Sequence, residues 1–162
     1  MSNIFNKNTI ELIHQIKEKY PNKRIGFTCS CFDILHCGHI IMLKDAKSQC
    51  DILVIGLQTD PTIDRKTKNK PIQEYHEREI MVSSIKYIDE IIKYATEDDL
   101  IHILKELQPN VRILGTDHQG KPFTGNELDI PIYWHLREHN WSTSQLRVRI
   151  YQSEKLKNLG YY

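Results

Sequence analysis

The sequence predicts an α/β fold in which helices cover both faces of a doubly wound parallel sheet. Apolar runs of strand length alternate along the chain with segments whose apolar residues recur at helical spacing. The run at 51–57 is almost entirely apolar, which is typical of a strand buried on both faces of a parallel sheet. No internal repeat and no Pro/Gly/Ser-rich linker interrupts this alternation. We therefore predict a Rossmann-like single domain with an extra N-terminal helix.

The chain divides on this basis into three parts. Residues 9–19 repeat apolar positions at helical spacing and end before Pro21, which predicts the extra helix. The segment from Tyr151 onward is polar, and we expect it to fray. The predicted boundaries are a helical extension at 1–22, the main domain at 23–152 and a C-terminal tail at 153–162.

The elements of the main domain follow in a regular order. Strands are predicted at 24–28, 51–57, 87–92, 111–115 and 130–134, and helices at 40–47, 74–86, 98–107 and from 142–144 onward. Pro131 lies near the start of the last strand, which suits an edge of the sheet. Because the carboxyl ends of parallel strands meet at one edge, we expect the loops after them to form the ligand site.

Composition excludes several classes of function. Hydrophobic residues make up 40% and charged residues 27% of the 162-residue chain, which is typical of a globular domain. A net charge of +1 argues against a general nucleic-acid binder. No apolar run approaches the roughly 20 residues of a membrane span, and residues 1–8 lack the apolar core of a signal peptide. We therefore expect a cytoplasmic protein with neither a nucleic-acid nor a membrane partner.

A His-x-Gly-His turn follows the first predicted strand. His36 and His39 are three residues apart at a helix start, so both can face one ligand, and Gly38 allows a close backbone approach. The free N–H groups and the dipole of a helix start favour phosphate, and an imidazole can donate a hydrogen bond to it. This pattern predicts a phosphate site. The alternative is a pair of turn or packed core histidines.

A second helix start carries Ser142-Thr143-Ser144. Either Ser142 or Thr143 is expected to cap the closing helix. A plain helix cap is one interpretation of this segment. Taken together with the His-x-Gly-His turn, the segment instead predicts a second phosphate cradle, which would bind the β- and γ-phosphates of a nucleotide.

These two segments resemble the motifs of the cytidylyltransferase-type nucleotidyltransferases. The first is Phe-Asp-Ile-Leu-His-Cys-Gly-His at 32–39, and the second runs from Arg137 to Ser144, with Asn140 in place of the usual glycine. The resemblance covers roughly residues 23–150. It implies transfer of a nucleotidyl group from CTP or ATP to a phosphorylated alcohol or sugar, with release of pyrophosphate. It also implies a homodimer.

The resemblance assigns roles to the candidate site residues. The catalytic group is His36, His39, Lys66 and Lys68, in which the histidines contact the α- and β-phosphates and the lysines cover the triphosphate. Nucleotide binding is assigned to Cys31, Phe32, Gly38, Arg78, Arg137, Trp141, Ser142, Thr143 and Ser144, and acceptor binding to Asp33 and Asp117. Mg²⁺ is expected to arrive with the nucleotide, without a protein metal site.

Several of these side chains also fit purely structural roles. Asp33 could cap its own turn, and Asp117 could form an Asx turn. Arg78 could form an ion pair on the helix surface with Glu74 or Glu77. The clustered cysteines are expected to be free thiols, with a structural metal site as the alternative; they are Cys29, Cys31, Cys37 and Cys50.

Three functions fit the sequence. The Arg137 to Ser144 segment and the compact domain are similar to glycerol-3-phosphate cytidylyltransferases, which predicts CTP and glycerol 3-phosphate, or a related phospho-alcohol, as substrates in a cell-surface polysaccharide precursor pathway. Residues 27–33, the N-terminal helix and residues 107–111 are instead similar to ADP-heptose synthase nucleotidyltransferase domains, so the alternative is adenylyl transfer from ATP to a sugar phosphate. A non-catalytic nucleotide- or metal-binding module is a third possibility.

Overall fold

A computed structural model of the chain describes residues 7–161. Its helices are α1 (Lys7–Lys19), α2 (Cys37–Ser48), α3 (Tyr75–Ser83), α4 (Glu97–Leu107) and α5 (Thr143–Asn158). Its strands are β1 (Ile25–Ser30), β2 (Ile52–Gln58), β3 (Glu90–Tyr94), β4 (Val111–Gly115) and β5 (Ile132–His135). Short 3₁₀ turns occupy Pro61–Ile63 and Thr116–His118. The part of the predicted extension at residues 1–6 lies outside the described residues.

The five strands form one parallel sheet in the order β3-β2-β1-β4-β5. The Rossmann-like α/β fold is therefore confirmed, and Pro131 precedes the edge strand β5 as predicted. The strand order reverses between β1 and β4. In open α/β sheets the crevice at the carboxyl ends of such a strand pair is the preferred place for a ligand.

Helices pack on both faces of the sheet. On one face α1 and α4 bury Ile13 and Ile103 against a cluster that includes Phe27 of β1. On the other face Leu43 of α2 and Val82 of α3 pack in a second cluster, which includes neighbouring β2 side chains. Every residue of β2 is buried, which explains why its sequence is a continuous apolar run.

Two local predictions are wrong. The strand expected at 87–92 lies later, at Glu90–Tyr94, because hydrogen-bonded turns at 84–88 connect it to α3. The tail expected to fray from Tyr151 is helical through Asn158, although none of the α5 side chains is buried. Good helix formers continue without Pro or Gly as far as Gly160, whose φ of 76° is typical of a helix end. Within residues 7–161, no helix has the length and apolarity needed to cross a bilayer.

Gly26 in the central strand β1 leaves no room for a larger side chain. A Cβ at this position would lie 2.6 Å from Cys50 Sγ and 2.9 Å from Cys50 Cβ. We expect Gly26→Ala to lower the free energy of unfolding by about 1–3 kcal/mol through overpacking, measured by urea denaturation. The double variant Gly26→Ala/Cys50→Ala should recover part of this loss, and an undiminished loss in the double variant would contradict the clash as its cause.

Candidate active site

Two cavities open at the carboxyl ends of β1 and β4. The small cavity, of about 280 Å³, is lined by the start of α2 and the start of α5. The large cavity, of about 720 Å³, is lined by residues of α4, by the 122–127 loop and by the 3₁₀ turn after β2. They share lining residues at the strand ends, namely Cys29, Ser30, Leu114 and His118. Ligands bound in the two cavities would therefore meet at this shared rim.

The His-x-Gly-His turn caps α2 with two imidazoles. His36 Nδ1 accepts a hydrogen bond from Gly38 N at 3.1 Å, and His39 Nδ1 accepts one from His36 N at 3.3 Å. Because each Nδ1 is an acceptor, this geometry assigns the proton of each neutral ring to Nε2. The ring centroids are 4.0 Å apart. The turn therefore presents two neighbouring Nε2–H donors.

Burial keeps both imidazoles neutral. It lowers the pKa of His39 to about 3, with further contributions from His36 and from the positive charge of Arg137. Burial also lowers the pKa of His36, followed by the effects of Arg137 and His139. At neutral pH the turn therefore binds anions through hydrogen-bond donation rather than through imidazolium charge.

The backbone before His36 is strained. Phe32 and Ile34 have φ values of 49° and 47°, a left-handed conformation that costs a residue other than glycine about 1–3 kcal/mol. The Asp33 carboxylate holds this turn by accepting from the backbone N–H groups of Ile72 and Gln73, and the Gln73 side chain accepts from Ile34 N. The strain is thus localised beside the two imidazoles.

The start of α5 is joined directly to this turn. Ser142 is the N-cap, and its Oγ accepts from Gln145 N at 3.2 Å. Thr143 Oγ1 donates to the backbone carbonyl of Asp33 at 3.2 Å, across 110 residues of sequence. Arg147 Nη1 lies 3.4 Å from the Asp33 carboxylate. The two segments therefore form one site, and both line the small cavity.

Comparison with known families agrees with this geometry. The cytidylyltransferase-like family model matches residues 27–148. The chain belongs to the cytidylyltransferase-like family. As a member of this family, it is a nucleotidyltransferase.

Relatives of this nucleotidyltransferase extend beyond it in length. Bifunctional protein HldE of Aliarcobacter butzleri is 31% identical over 153 residues, which cover 93% of this chain and 32% of that protein. The same-named protein of Helicobacter hepaticus is 33% identical over 151 residues, covering 91% of this chain and 31% of that protein. The chain thus spans about a third of the length of the curated relatives it matches.

Solved structures support the same fold. The lipopolysaccharide core biosynthesis protein of Thermoplasma volcanium is 26% identical, with a TM-score of 0.57, covering 75% of this chain and all (100%) of that one. Pantoate-beta-alanine ligase of Francisella tularensis is 17% identical, with a TM-score of 0.56, covering 81% of this chain and 66% of that one. At 17% identity, the similarity to the pantoate-beta-alanine ligase shows only that the two proteins share a fold.

The structure brings most of the predicted site residues of this nucleotidyltransferase to the cavities. The small cavity is lined by His36, Gly38, His39, Asp117, Arg137, Trp141, Ser142 and Thr143. The large cavity is lined by Cys31 and Lys68. The predicted residues that line neither cavity are Phe32, Asp33, Lys66, Arg78 and Ser144. The covering of a triphosphate by the two loop lysines stays a prediction.

Arg78 does not face a nucleotide site, contrary to the sequence-based assignment. Its side chain is 1% exposed, and it does not form the alternative surface ion pair either. Its guanidinium donates to four backbone carbonyls, those of Cys31, Gln58, Thr59 and Gln73. Arg78 therefore ties together the ends of β1 and β2 and the start of α3, and it positions the site rather than binding the ligand.

Asp33 and Phe32 also differ from their predicted roles. The Asp33 carboxylate is buried and already accepts from backbone N–H groups, so it acts as the turn cap that the sequence left open. The Phe32 ring is buried in the core, with its centroid 5.5 Å from that of His39. Neither side chain lines a cavity. Both residues instead support the histidine turn through the contacts just described.

Sequence reasoning missed two further histidines of the small cavity. Both ring nitrogens of His139 are buried without a hydrogen-bond partner among the described residues, and its ring stacks on Trp141 with centroids 5.0 Å apart. A Cβ on Gly38 would lie 2.8 Å from the His139 ring, so the glycine is needed for this approach. His135 Nδ1 lies 2.6 Å from the Asp45 carboxylate. The available signal was their place in the chain, since His135 is the last residue of β5 and His139 follows it by four residues.

Among residues 7–161, no group of three or more His, Cys, Asp or Glu side chains is arranged so that it could hold a metal ion. The four cysteines are free thiols. Burial raises the pKa of the Cys29 and Cys31 thiols, and it is the largest influence on both pKa values. These thiols are therefore protonated at neutral pH.

His39 is expected to make the fold acid-sensitive. Its pKa is about 3 when folded, against 6.5 in an unfolded chain, so below pH 6.5 the unfolded state takes up a proton that the folded state does not. The free energy of unfolding should therefore fall as the pH is lowered from 7.5 to 5, measured by urea denaturation. His39→Asn should weaken this dependence, and an unchanged dependence in the variant would contradict the assignment to His39.

Proposed function

We propose that the chain is an adenylyltransferase that transfers AMP from ATP to a sugar phosphate and releases pyrophosphate. The observation that carries the proposal is the joining of the histidine turn to the start of α5 at one cavity. The relatives named bifunctional protein HldE and the lipopolysaccharide core biosynthesis protein favour this reaction over the first expectation, CTP with glycerol 3-phosphate.

The small cavity suits the triphosphate. The Nε2–H groups of His36 and His39 would donate to α- and β-phosphate oxygens, and the free N–H groups at the start of α5 would meet the β- and γ-phosphates. Arg137 adds a positive charge at the same cavity, and the unpartnered ring nitrogens of His139 offer a further phosphate contact. The site is thus built from fixed donors of the kind that stabilise charge in phosphoryl transfer.

The reaction itself needs no general base. An oxygen of the acceptor phosphate attacks the α-phosphorus and forms a new P–O bond, while the bond between the α-phosphorus and the bridging α,β-oxygen breaks. Pyrophosphate leaves with that electron pair. Because the attacking phosphate is already ionised near neutral pH, catalysis consists of positioning and of donation to the oxygens that gain charge.

Mg²⁺ fits this site only as part of the nucleotide complex. The small cavity offers the ion a single carboxylate, that of Asp117, whose side chain is exposed. Phosphate oxygens and water would therefore supply most of its ligands, a coordination that Mg²⁺ commonly adopts. The bound ion would neutralise part of the triphosphate charge. The homodimer implied by the family resemblance stays a prediction.

Pyrophosphate release with ATP and CTP, each paired with a panel of phosphorylated acceptors and Mg²⁺, tests the function. We expect ATP with a sugar 1-phosphate to give the highest kcat/KM, and chelation of Mg²⁺ by EDTA to abolish turnover. A preference for CTP and glycerol 3-phosphate would restore the first expectation. Nucleotide binding without pyrophosphate from any pair would instead favour the non-catalytic module.

A further inference from the structure

Arg112 is a buried cation that has no anionic partner in the part of the chain that the structure describes. It is the second residue of β4, and it is 3% exposed. Nη1 donates to the backbone carbonyl of Thr124, whereas Nε is buried and has no hydrogen-bond partner among residues 7–161. Within the same residues Arg112 forms no ion pair with a carboxylate.

Such an arginine is unfavourable for folding alone. A buried charge is costly to desolvate unless it is paired and hydrogen-bonded, and an apolar side chain of similar volume is often more stable. The neighbouring Phe123 ring, with its centroid 5.4 Å from Arg112 Cζ, provides only a cation–π contact. Glu97 is engaged elsewhere, since it accepts from Thr124 Oγ1 and lies 3.1 Å from Arg65 Nε. The guanidinium therefore has donor capacity for an external anion.

The surroundings of Arg112 form a ligand site of their own. It lines the large cavity together with the basic side chains of Arg65 and Lys68. Neither His36 nor His39 lines this cavity, and Arg112 does not line the small one. An anion bound to Arg112 would therefore lie in a different cavity from the phosphate groups that contact His36 and His39.

We propose that Arg112 binds a second anionic group on the acceptor, a carboxylate or a second phosphate, in the large cavity. The proposal rests on the proposed function, because the reacting phosphate must reach the α-phosphorus at the shared rim near Ser30 and His118. The rest of the acceptor then extends into about 720 Å³ of space, ample for a sugar ring. The carboxylates of Glu97 and Glu127 also line this space and suit sugar hydroxyls as hydrogen-bond acceptors.

Acceptor preference tests the proposal. Pyrophosphate release from ATP would be measured with glucose 1-phosphate, which has no second anionic group, with glucose 1,6-bisphosphate, which has a second phosphate, and with glucuronic acid 1-phosphate, which has a carboxylate. We expect kcat/KM for at least one doubly anionic acceptor to exceed that for glucose 1-phosphate by about tenfold or more. Arg112→Gln should remove this preference and leave the rate with glucose 1-phosphate within about threefold. Equal use of all three acceptors by the unmodified chain would overturn the proposal.

Two further measurements separate binding from folding. Arg24→Gln is the matched control, because Arg24 is exposed and precedes β1 at the opposite end of the sheet. Arg112→Gln should keep or raise the thermal unfolding temperature. Its affinity for glucose 1,6-bisphosphate, measured by calorimetry, should fall at least tenfold, which is the order expected for loss of a charged hydrogen bond. A lowered unfolding temperature with equal loss for every acceptor would make Arg112 structural.

The same calorimetry distinguishes failure of this inference from failure of the proposed function. If no nucleotide and acceptor pair releases pyrophosphate, the adenylyltransferase proposal falls. Binding of glucose 1,6-bisphosphate that depends on Arg112 would still support the anion site in that case. If turnover is normal but Arg112→Gln changes neither binding nor acceptor preference, only the anion site is overturned.

Discussion

Replacing His36 or His39 by alanine is expected to lower kcat by on the order of 10²–10³-fold. Each ring uses Nδ1 to cap α2, so only Nε2–H is available for a phosphate oxygen. Removing that donor withdraws stabilisation from the oxygens that gain charge as the α-phosphorus is attacked. Initial rates of pyrophosphate release with saturating ATP and acceptor measure the effect. Near-normal turnover in both variants would contradict these roles.

Conservative variants separate donation from capping. Asparagine at position 36 keeps an acceptor for Gly38 N, as a favoured N-cap residue, but it lacks the distal Nε2–H. We therefore expect His36→Asn to retain the unfolding midpoint and still to lose most of its turnover. His76→Ala is the control, since that side chain is 78% exposed on α3 and should leave both quantities unchanged. Parallel loss of stability and turnover in His36→Asn would point to a structural cap only.

The sequence predicted those features whose causes are local. The apolar run of β2 reflects burial on both faces, and the cap residues at the starts of α2 and α5 mark helix ends within a few positions. Because all strands are parallel, their carboxyl ends meet at one edge of the sheet. For this reason the sequence predicted that the histidine turn and the start of α5 lie close together. The contact between Thr143 and the Asp33 carbonyl bears this out.

The roles that the sequence left open or missed depend on partners far along the chain. The Asp33 carboxylate accepts from residues 39 and 40 positions away. A strand covered on both faces gives no alternation that would distinguish a buried Arg112 from an exposed one. His139 was overlooked because its environment comes from Gly38 and Trp141, which only the folded site brings against it.

Replacing Arg78 by methionine is expected to lower the free energy of unfolding by about 3–5 kcal/mol. The substitution leaves buried carbonyl oxygens without their donor at the ends of β1 and β2 and before α3. Methionine keeps much of the side-chain volume, so the loss reflects hydrogen bonding more than a cavity. Arg78→Lys should recover only part of the stability, because one ammonium group cannot reproduce the planar fork of donors.

Urea denaturation of Arg78→Met and of Arg24→Met separates a positioning role from nucleotide binding. Arg24 makes one exposed side-chain hydrogen bond, to Gln49 O, so its replacement should cost less than about 1 kcal/mol. If Arg78 instead contacted the nucleotide, Arg78→Met would keep the stability of the control and raise KM for ATP. A buried Arg78 predicts the opposite pattern: a large loss of stability, with turnover falling because the Cys31 carbonyl, which precedes the histidine turn, is no longer held.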